Sequence, residues 1–174
     1  MFFLQMSGFP GSGKSTLAKR LASETGAVII DHDTSKTALL ASLGESGLDA
    51  RALGKAAYSV DWASIEFQLA QGKSVIFDSP CLYEEMILKG TKLAHKYDAP
   101  YKYIECYLND FTEINQRLRN RERLPSQIPE VESESIFKRA LASSKKPEGH
   151  PWIRVDSGEE IRTYLHTALQ YIKE

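Results

Sequence analysis

Two periodicities divide the chain. Short, nearly continuous apolar runs occur at 2–6, 27–31, 74–78, 101–108 and 152–156. Runs this short, bounded by glycine, proline or polar clusters, predict strands buried on both faces. Between them apolar residues return every three or four positions, which predicts amphipathic helices. Leu17, Ala18, Leu21 and Ala22 mark the first helix, with Gly26 as its C-cap. A second runs from about Ser35 to Leu43 behind a cap at Asp33 or Thr34, and Gly44–Asp49 breaks it. A long helix spans about 50–71, with Leu53, Ala56, Ala57, Val60, Ala63 and Phe67 as its apolar stripe. Further helices are expected at about 83–97, from a cap at Asn109 or Asp110 to about Arg121, at 132–144 and at 159–172. Leu124–Pro129 is polar, holds two prolines and predicts a loop.

Strands alternating with helices imply a parallel sheet covered on both sides. In such sheets ligands bind beyond the carboxyl ends of the strands. That edge collects Gly8–Ser15 after the first strand, Asp31 and Asp33 after the second, Asp78 after the third, and Asp156 and Ser157 after the fifth.

Gly8-Phe9-Pro10-Gly11-Ser12-Gly13-Lys14-Ser15 fits G-x-x-x-x-G-K-[ST], between a predicted strand and a predicted helix. The residue types have physical reasons. Glycines let the backbone curl so that successive amides of Gly11, Ser12, Gly13, Lys14, Ser15 and Thr16 point inward at phosphate oxygens, and the helix start adds its dipole. Lys14 brings a point charge to the terminal phosphates, and the Ser15 hydroxyl can bind Mg²⁺. The loop therefore predicts a bound nucleoside triphosphate with magnesium.

Composition narrows the picture. The 174 residues suit one domain, with 42% hydrophobic and 26% charged residues. A net charge of −1 gives no bulk attraction to nucleic acid or anionic membranes. No apolar run reaches membrane-spanning length and no leader-like segment is evident, so a cytoplasmic protein is expected. Cys81 and Cys106 have no metal or redox spacing, and inert thiols are expected.

The remaining chemistry centres on acids and arginines. Phosphoryl transfer to a hydroxyl needs a carboxylate beside the acceptor, and Asp33 fits, with Asp31 as the second candidate. His32, between them, reads as an ordinary loop histidine. Asp78 closes an apolar strand, where a carboxylate can hold Mg²⁺ together with Ser15. Arg117 and Arg121 are i and i+4 on one helix face before the loop. One can stack on a base and the other can neutralise a transferring phosphoryl group. Arg119 and Arg123 are surface charges or acceptor contacts. Lys36, one helical turn beyond Asp33, can orient an acceptor. Lys145 and Lys146 are expected to be solvated.

Gly8–Thr16 resembles the G-x-P-G-[SA]-G-K-S-T loop of small P-loop kinases, a group that includes the kinase domain of polynucleotide 5′-kinase and relatives acting on gluconate, shikimate or antibiotics. The likeness extends to an acid after strand two, an acid after strand three and an R-x-x-x-R helix before a lid. It implies a three-layer α/β/α fold with a five-stranded parallel sheet in the order 2-3-1-4-5. It also implies a lid at about 121–132 and acceptor-covering helices at about 39–58. It assigns Asp33 as general base, Lys14 and Arg121 as charge stabilisers, Arg117 as adenine-stacking, and Asp156–Gly158 as the other adenine wall. ATP and Mg²⁺ are the implied cofactors. Where the polynucleotide group has the arginine of D-x-x-R, this chain has Lys36, which cannot offer a bidentate fork to phosphate. A small-molecule hydroxyl is thus preferred over a nucleic-acid 5′ end. A nucleoside monophosphate kinase, a nucleotide hydrolase or switch, and a nucleotide sensor are the other readings. No N-K-x-D motif and no glutamine obviously placed to orient water support a hydrolase.

Overall fold

A computed structural model describes residues 1–43 and 49–174. Five strands, β1 (Phe3–Ser7), β2 (Val28–Asp31), β3 (Val75–Asp78), β4 (Tyr101–Tyr107) and β5 (Ile153–Asp156), form one sheet in the order β2-β3-β1-β4-β5. Every pairing is parallel. The helices are α1 (Lys14–Thr25), α2 (His32–Leu43), α3 (Ala50–Ala70), α4 (Glu84–Lys96), α5 (Phe111–Asn120), α6 (Glu134–Ser143) and α7 (Ile161–Lys173). The expected α/β/α architecture and strand order are both present.

The central strand explains the layering. Successive β1 side chains point to opposite faces. Leu4 and Met6 pack with Leu17 and Leu21 of α1 and Ala168 and Ile172 of α7. Phe3 packs on the other face with Trp62, Ile65 and Leu69 of α3 and Ala94 of α4. A third cluster, Phe9, Leu108, Ile114, Leu118, Val131 and Phe137, ties α5 and α6 to the glycine-rich loop. Register then aligns the strand ends: Asp31 lies opposite Asp78, and Tyr107 opposite Asp156.

Three readings of the sequence need correcting. First, α2 begins at His32, directly after β2, because the Asp31 carboxylate accepts the Thr34 N–H at 2.8 Å and so acts as the cap assigned to Asp33 or Thr34. Second, α3 is rotated from the expected stripe. Its buried residues are Leu53, Ala57, Asp61, Trp62, Ile65 and Leu69, whereas Val60 and Phe67 are exposed. A buried aspartate interrupts the true stripe, so the phase containing only apolar residues was the misleading one. Third, Lys146 is not solvated. Its Nζ lies 2.6 Å from the buried Glu105 carboxylate, whose other oxygen binds Arg154 Nε at 2.7 Å.

The cysteines are buried, as expected for inert thiols, and burial pushes both up to about 12. Neither should react with a disulfide reagent at pH 8 while the chain is folded. Both should titrate after addition of guanidinium. Reaction of either thiol in the native protein would mean that the sheet around Cys106, or the β3–α4 loop around Cys81, opens readily.

Candidate functional site

The sheet's carboxyl edge opens into a cavity of about 1320 Å³. That exceeds the 300–1,000 Å³ typical of a pocket for one small ligand. It brings together Gly11, Gly13, Lys14, Ser15 and Thr16 with Asp31, His32, Asp33, Asp78, Arg117 and Arg121. Ser12 is buried in the loop itself, and its Oγ has no partner among the described residues. Lys36 does not line the cavity; a Cβ placed on Gly54 of α3 would lie 3.8 Å from Lys36 Cε. Residues 39–43 and 49–58 belong to α2, α3 and the residue before α3. It is Ser64, one to two turns further along α3, that reaches the cavity. Residues 44–48 of the expected acceptor cover lie outside the described residues.

The glycine-rich loop holds Lys14 in a near-buried position, where its Nζ donates to Gly8 O at 3.0 Å and Phe9 O at 3.1 Å. Burial lowers its pKa, opposed chiefly by the charge of Asp78. Asp78 is 5% exposed, and burial raises its carboxyl above the usual range while Lys14 and a hydrogen bond with Ser15 pull it back. Asp31 and Asp33 are close enough to repel it. No group of three His, Cys, Asp or Glu forms a complete metal cage among the described residues. Mg²⁺ takes one or two protein ligands and completes its shell with phosphate oxygens and water. Ser15 and Asp78, hydrogen-bonded to each other in the lining, are a hydroxyl and a carboxylate of the kind that could serve as such ligands.

The lid side is organised by α5 and the loop behind it. Asp110 caps α5 by accepting the Glu113 N–H at 2.9 Å. Glu113 in turn holds Arg117 Nε at 2.6 Å, and Arg117 Nη2 donates to Ser157 O at 2.9 Å. Arg117 and the segment after β5 are thereby joined at one end of the cavity. Arg121 donates through Nη2 to Ile128 O at 3.1 Å. Its Nε is buried without a partner among the described residues, and burial lowers its pKa. Arg119 pairs with Glu130 on the surface, whereas Arg123 lines the cavity and donates to Gln127 O.

Two parts of the site carry no signal in the sequence. Gln127 Nε2 donates to Asp33 Oδ2 at 2.8 Å, and Ser126 Oγ donates to Asp33 O at 3.0 Å while accepting from Thr37 Oγ1. The loop after α5 therefore crosses the cavity and fastens to the start of α2. Its only local marks are Pro125 and Pro129. The second part is His32, expected as a loop residue. It is 6% exposed, lies 2.7 Å through Nδ1 from Asp61 Oδ2, and stacks on Tyr58 with ring centroids 3.6 Å apart.

Residues 4–147 match the AAA-domain family. No relative was found among curated protein sequences. Among solved structures, a candidate kinase from Chloroflexus aurantiacus is similar over 98% of this chain and 97% of its own, at 18% identity and a TM-score of 0.77. A gluconokinase from Sinorhizobium meliloti is similar over 99% and 91%, at 17% identity and a TM-score of 0.65. Kti12 from Chaetomium thermophilum, solved with ADP-AlF₃, is similar over 98% of both chains, at 16% identity and a TM-score of 0.67. At such identities these likenesses speak to the fold, which is that of P-loop kinases. Among the described residues no helix is long and apolar enough to cross a membrane.

Proposed function

The chain belongs to the AAA-domain family, and from that membership and the site above we propose that it is an ATP-dependent phosphotransferase acting on a hydroxyl of a small molecule. The observation that carries the reading is convergence. A glycine-rich phosphate loop, two strand-end carboxylates and a half-buried arginine with an unpartnered Nε face one cavity large enough for two ligands.

The chemistry is assigned as follows. The loop amides and Lys14 hold the β- and γ-phosphates of ATP, and Arg117 with Asp156–Gly158 holds the adenine. Mg²⁺, bound to Ser15 and Asp78, would neutralise phosphate charge. Asp33 accepts the proton of the acceptor hydroxyl as its oxygen forms a bond to the γ-phosphorus and the bond from that phosphorus to the β-phosphate oxygen breaks, releasing ADP. Asp31 and Asp33 each have one oxygen in a hydrogen bond, to the Thr34 amide and to Gln127 Nε2, so the assignment to Asp33 rests on the family resemblance. Lys14 and Arg121 stabilise the charge that develops. The 121–128 segment, fastened across the cavity by Ser126 and Gln127, shields the reaction from water.

Binding linkage supplies the first test. At 100 times its dissociation constant, MgATP should stabilise the protein by about 2.7 kcal/mol. For a chain of this size that is a rise in Tm of roughly 5–10 °C. Acceptors should add a further rise only when MgATP or a non-hydrolysable analogue is present. Release of ADP that needs such an acceptor supports the kinase reading. ADP released at full rate without any acceptor would assign a hydrolase, and binding with no turnover across a wide acceptor panel would assign a sensor.

A further inference from the structure

Asp61 is an expensive residue for its position. It is fully buried on the inner face of α3, on the same buried face as Leu53, Ala57, Trp62 and Ile65, and its Oδ1 has no partner among the described residues. A carboxylate taken out of water there costs several kcal/mol unless something answers it. Its Oδ2 meets His32 Nδ1 at 2.7 Å. The imidazole is clamped by stacking on Tyr58, with the rings within 12° of parallel, and Tyr58 in turn packs edge-on against Phe77. With the ring neutral and Nδ1 donating to the carboxylate, Nε2 carries a lone pair. Nε2 has no protein partner among the described residues, and His32 lines the cavity beside Asp33. A buried acid, an aromatic clamp and an oriented ring together present a single hydrogen-bond acceptor to the site.

The charges around it define what can bind there. The cations that line the cavity are Lys14, Lys19, Arg117, Arg121 and Arg123, which come from α1 and from α5 with its following loop. The end formed by β2, α2, α3 and β3 offers His32, Thr34, Ser35, Ser64 and Ser79 with the carboxylates Asp31, Asp33 and Asp78, and no lysine or arginine among them. Lys36 lies beside Gly54 instead. A carboxylate or phosphate on the acceptor would face Asp31, Asp33 and Asp78, while Lys14 and Arg121, the cations near enough to act on Asp33, are taken by the phosphates of ATP in the proposed complex. An uncharged molecule with several hydroxyls meets no such repulsion: one hydroxyl can donate to Asp33, a second to His32 Nε2, and others can exchange bonds with the serines.

We infer that the His32–Asp61 pair is an acceptor-binding element that selects neutral polyhydroxylated molecules, with His32 touching a hydroxyl other than the one phosphorylated and Asp61 acting as its positioning residue. This rests on the phosphotransferase reading and names the substrate class within it.

The test uses the intact protein with ¹⁵N-labelled histidine and a Mg²⁺ complex of a non-hydrolysable ATP analogue. Glycerol, xylitol and glucose serve as neutral probes, gluconate as the anionic probe and kanamycin as the cationic one. At least one neutral polyol should shift the His32 Nε2 resonance saturably, and gluconate should not. Asp61→Asn, with folding verified by its melting curve, should change the His32 tautomer signature and weaken that polyol's binding about tenfold, the loss expected for one hydrogen bond of ordinary strength. A His32 signal unmoved by every neutral polyol overturns the inference, as does a larger response to gluconate or kanamycin. ADP release in the presence of the same polyols is read separately. Transfer with an unmoved His32 keeps the kinase reading and removes this one; a moved His32 without transfer does the reverse.

Discussion

Asp33→Asn should lower phosphoryl transfer by about 10²- to 10⁴-fold, equivalent to about 3–5 kcal/mol of barrier, while the affinity for MgATP stays within a factor of two or so. The substitution is nearly isosteric. The new amide oxygen can still accept from Gln127 Nε2, and Ser126 bonds to the backbone carbonyl, which is unchanged. The lid contacts are thus retained and only the proton acceptor is lost. Asp31→Asn provides the control. Asparagine caps a helix about as well as aspartate, so the bond to the Thr34 amide survives and turnover should fall by less than about threefold. Single-turnover transfer and nucleotide titration on both variants decide the matter. If Asp31→Asn is the inactive one, the base is Asp31. If neither loses transfer, no carboxylate at the end of β2 takes the acceptor proton.

That experiment turns on residues that the sequence identified. What it did not provide was their surroundings, and the reason lies in chain separation. The strands, their order and the phosphate loop are written locally, in runs of four to eight residues and in the spacing of Gly8, Gly13 and Lys14. The start of α2 depends on whether an aspartate folds back on an amide three residues later, and Asp31, Asp33 and Thr34 all offer that chemistry. The phase of α3 is ambiguous in the sequence because Ala56, Val60, Ala63 and Phe67 repeat at the same spacing as a buried stripe. The face that is buried contains Asp61, which only makes sense beside His32, 29 residues earlier. Gln127 and Asp33 are 94 residues apart, and nothing in a proline-bounded polar loop says which element it will meet. Residue types at a site are legible where backbone geometry demands them; pairings across the fold are not.

Gly8→Ala should be severely damaging, because backbone conformation and packing both oppose it. Gly8 has φ +135°, a region that side chains rarely adopt. A Cβ built there would lie 2.3 Å from the carbonyl oxygen of Cys106 and 2.6 Å from Ser12 Oγ. The first of these atoms is backbone of β4, tied into the sheet beside β1, so it cannot turn aside as a side chain could. Conformational strain alone is worth about 1–3 kcal/mol, and the steric term adds to it. A total of about 3 kcal/mol or more corresponds to a fall in Tm of roughly 6–12 °C. Gly26→Ala isolates the first term: φ is +70° and nothing lies within 4 Å of the added carbon, so the expected cost is about 1 kcal/mol. The two variants should also separate in function. Relief of the Gly8 clash requires the loop to move away from β4, which carries the amides and Lys14 with it, so MgATP stabilisation should vanish for Gly8→Ala and persist for Gly26→Ala. Equal melting temperatures for the two variants, or an undiminished MgATP shift in Gly8→Ala, would show that the close approach of this loop to β4 is not what shapes the phosphate cradle.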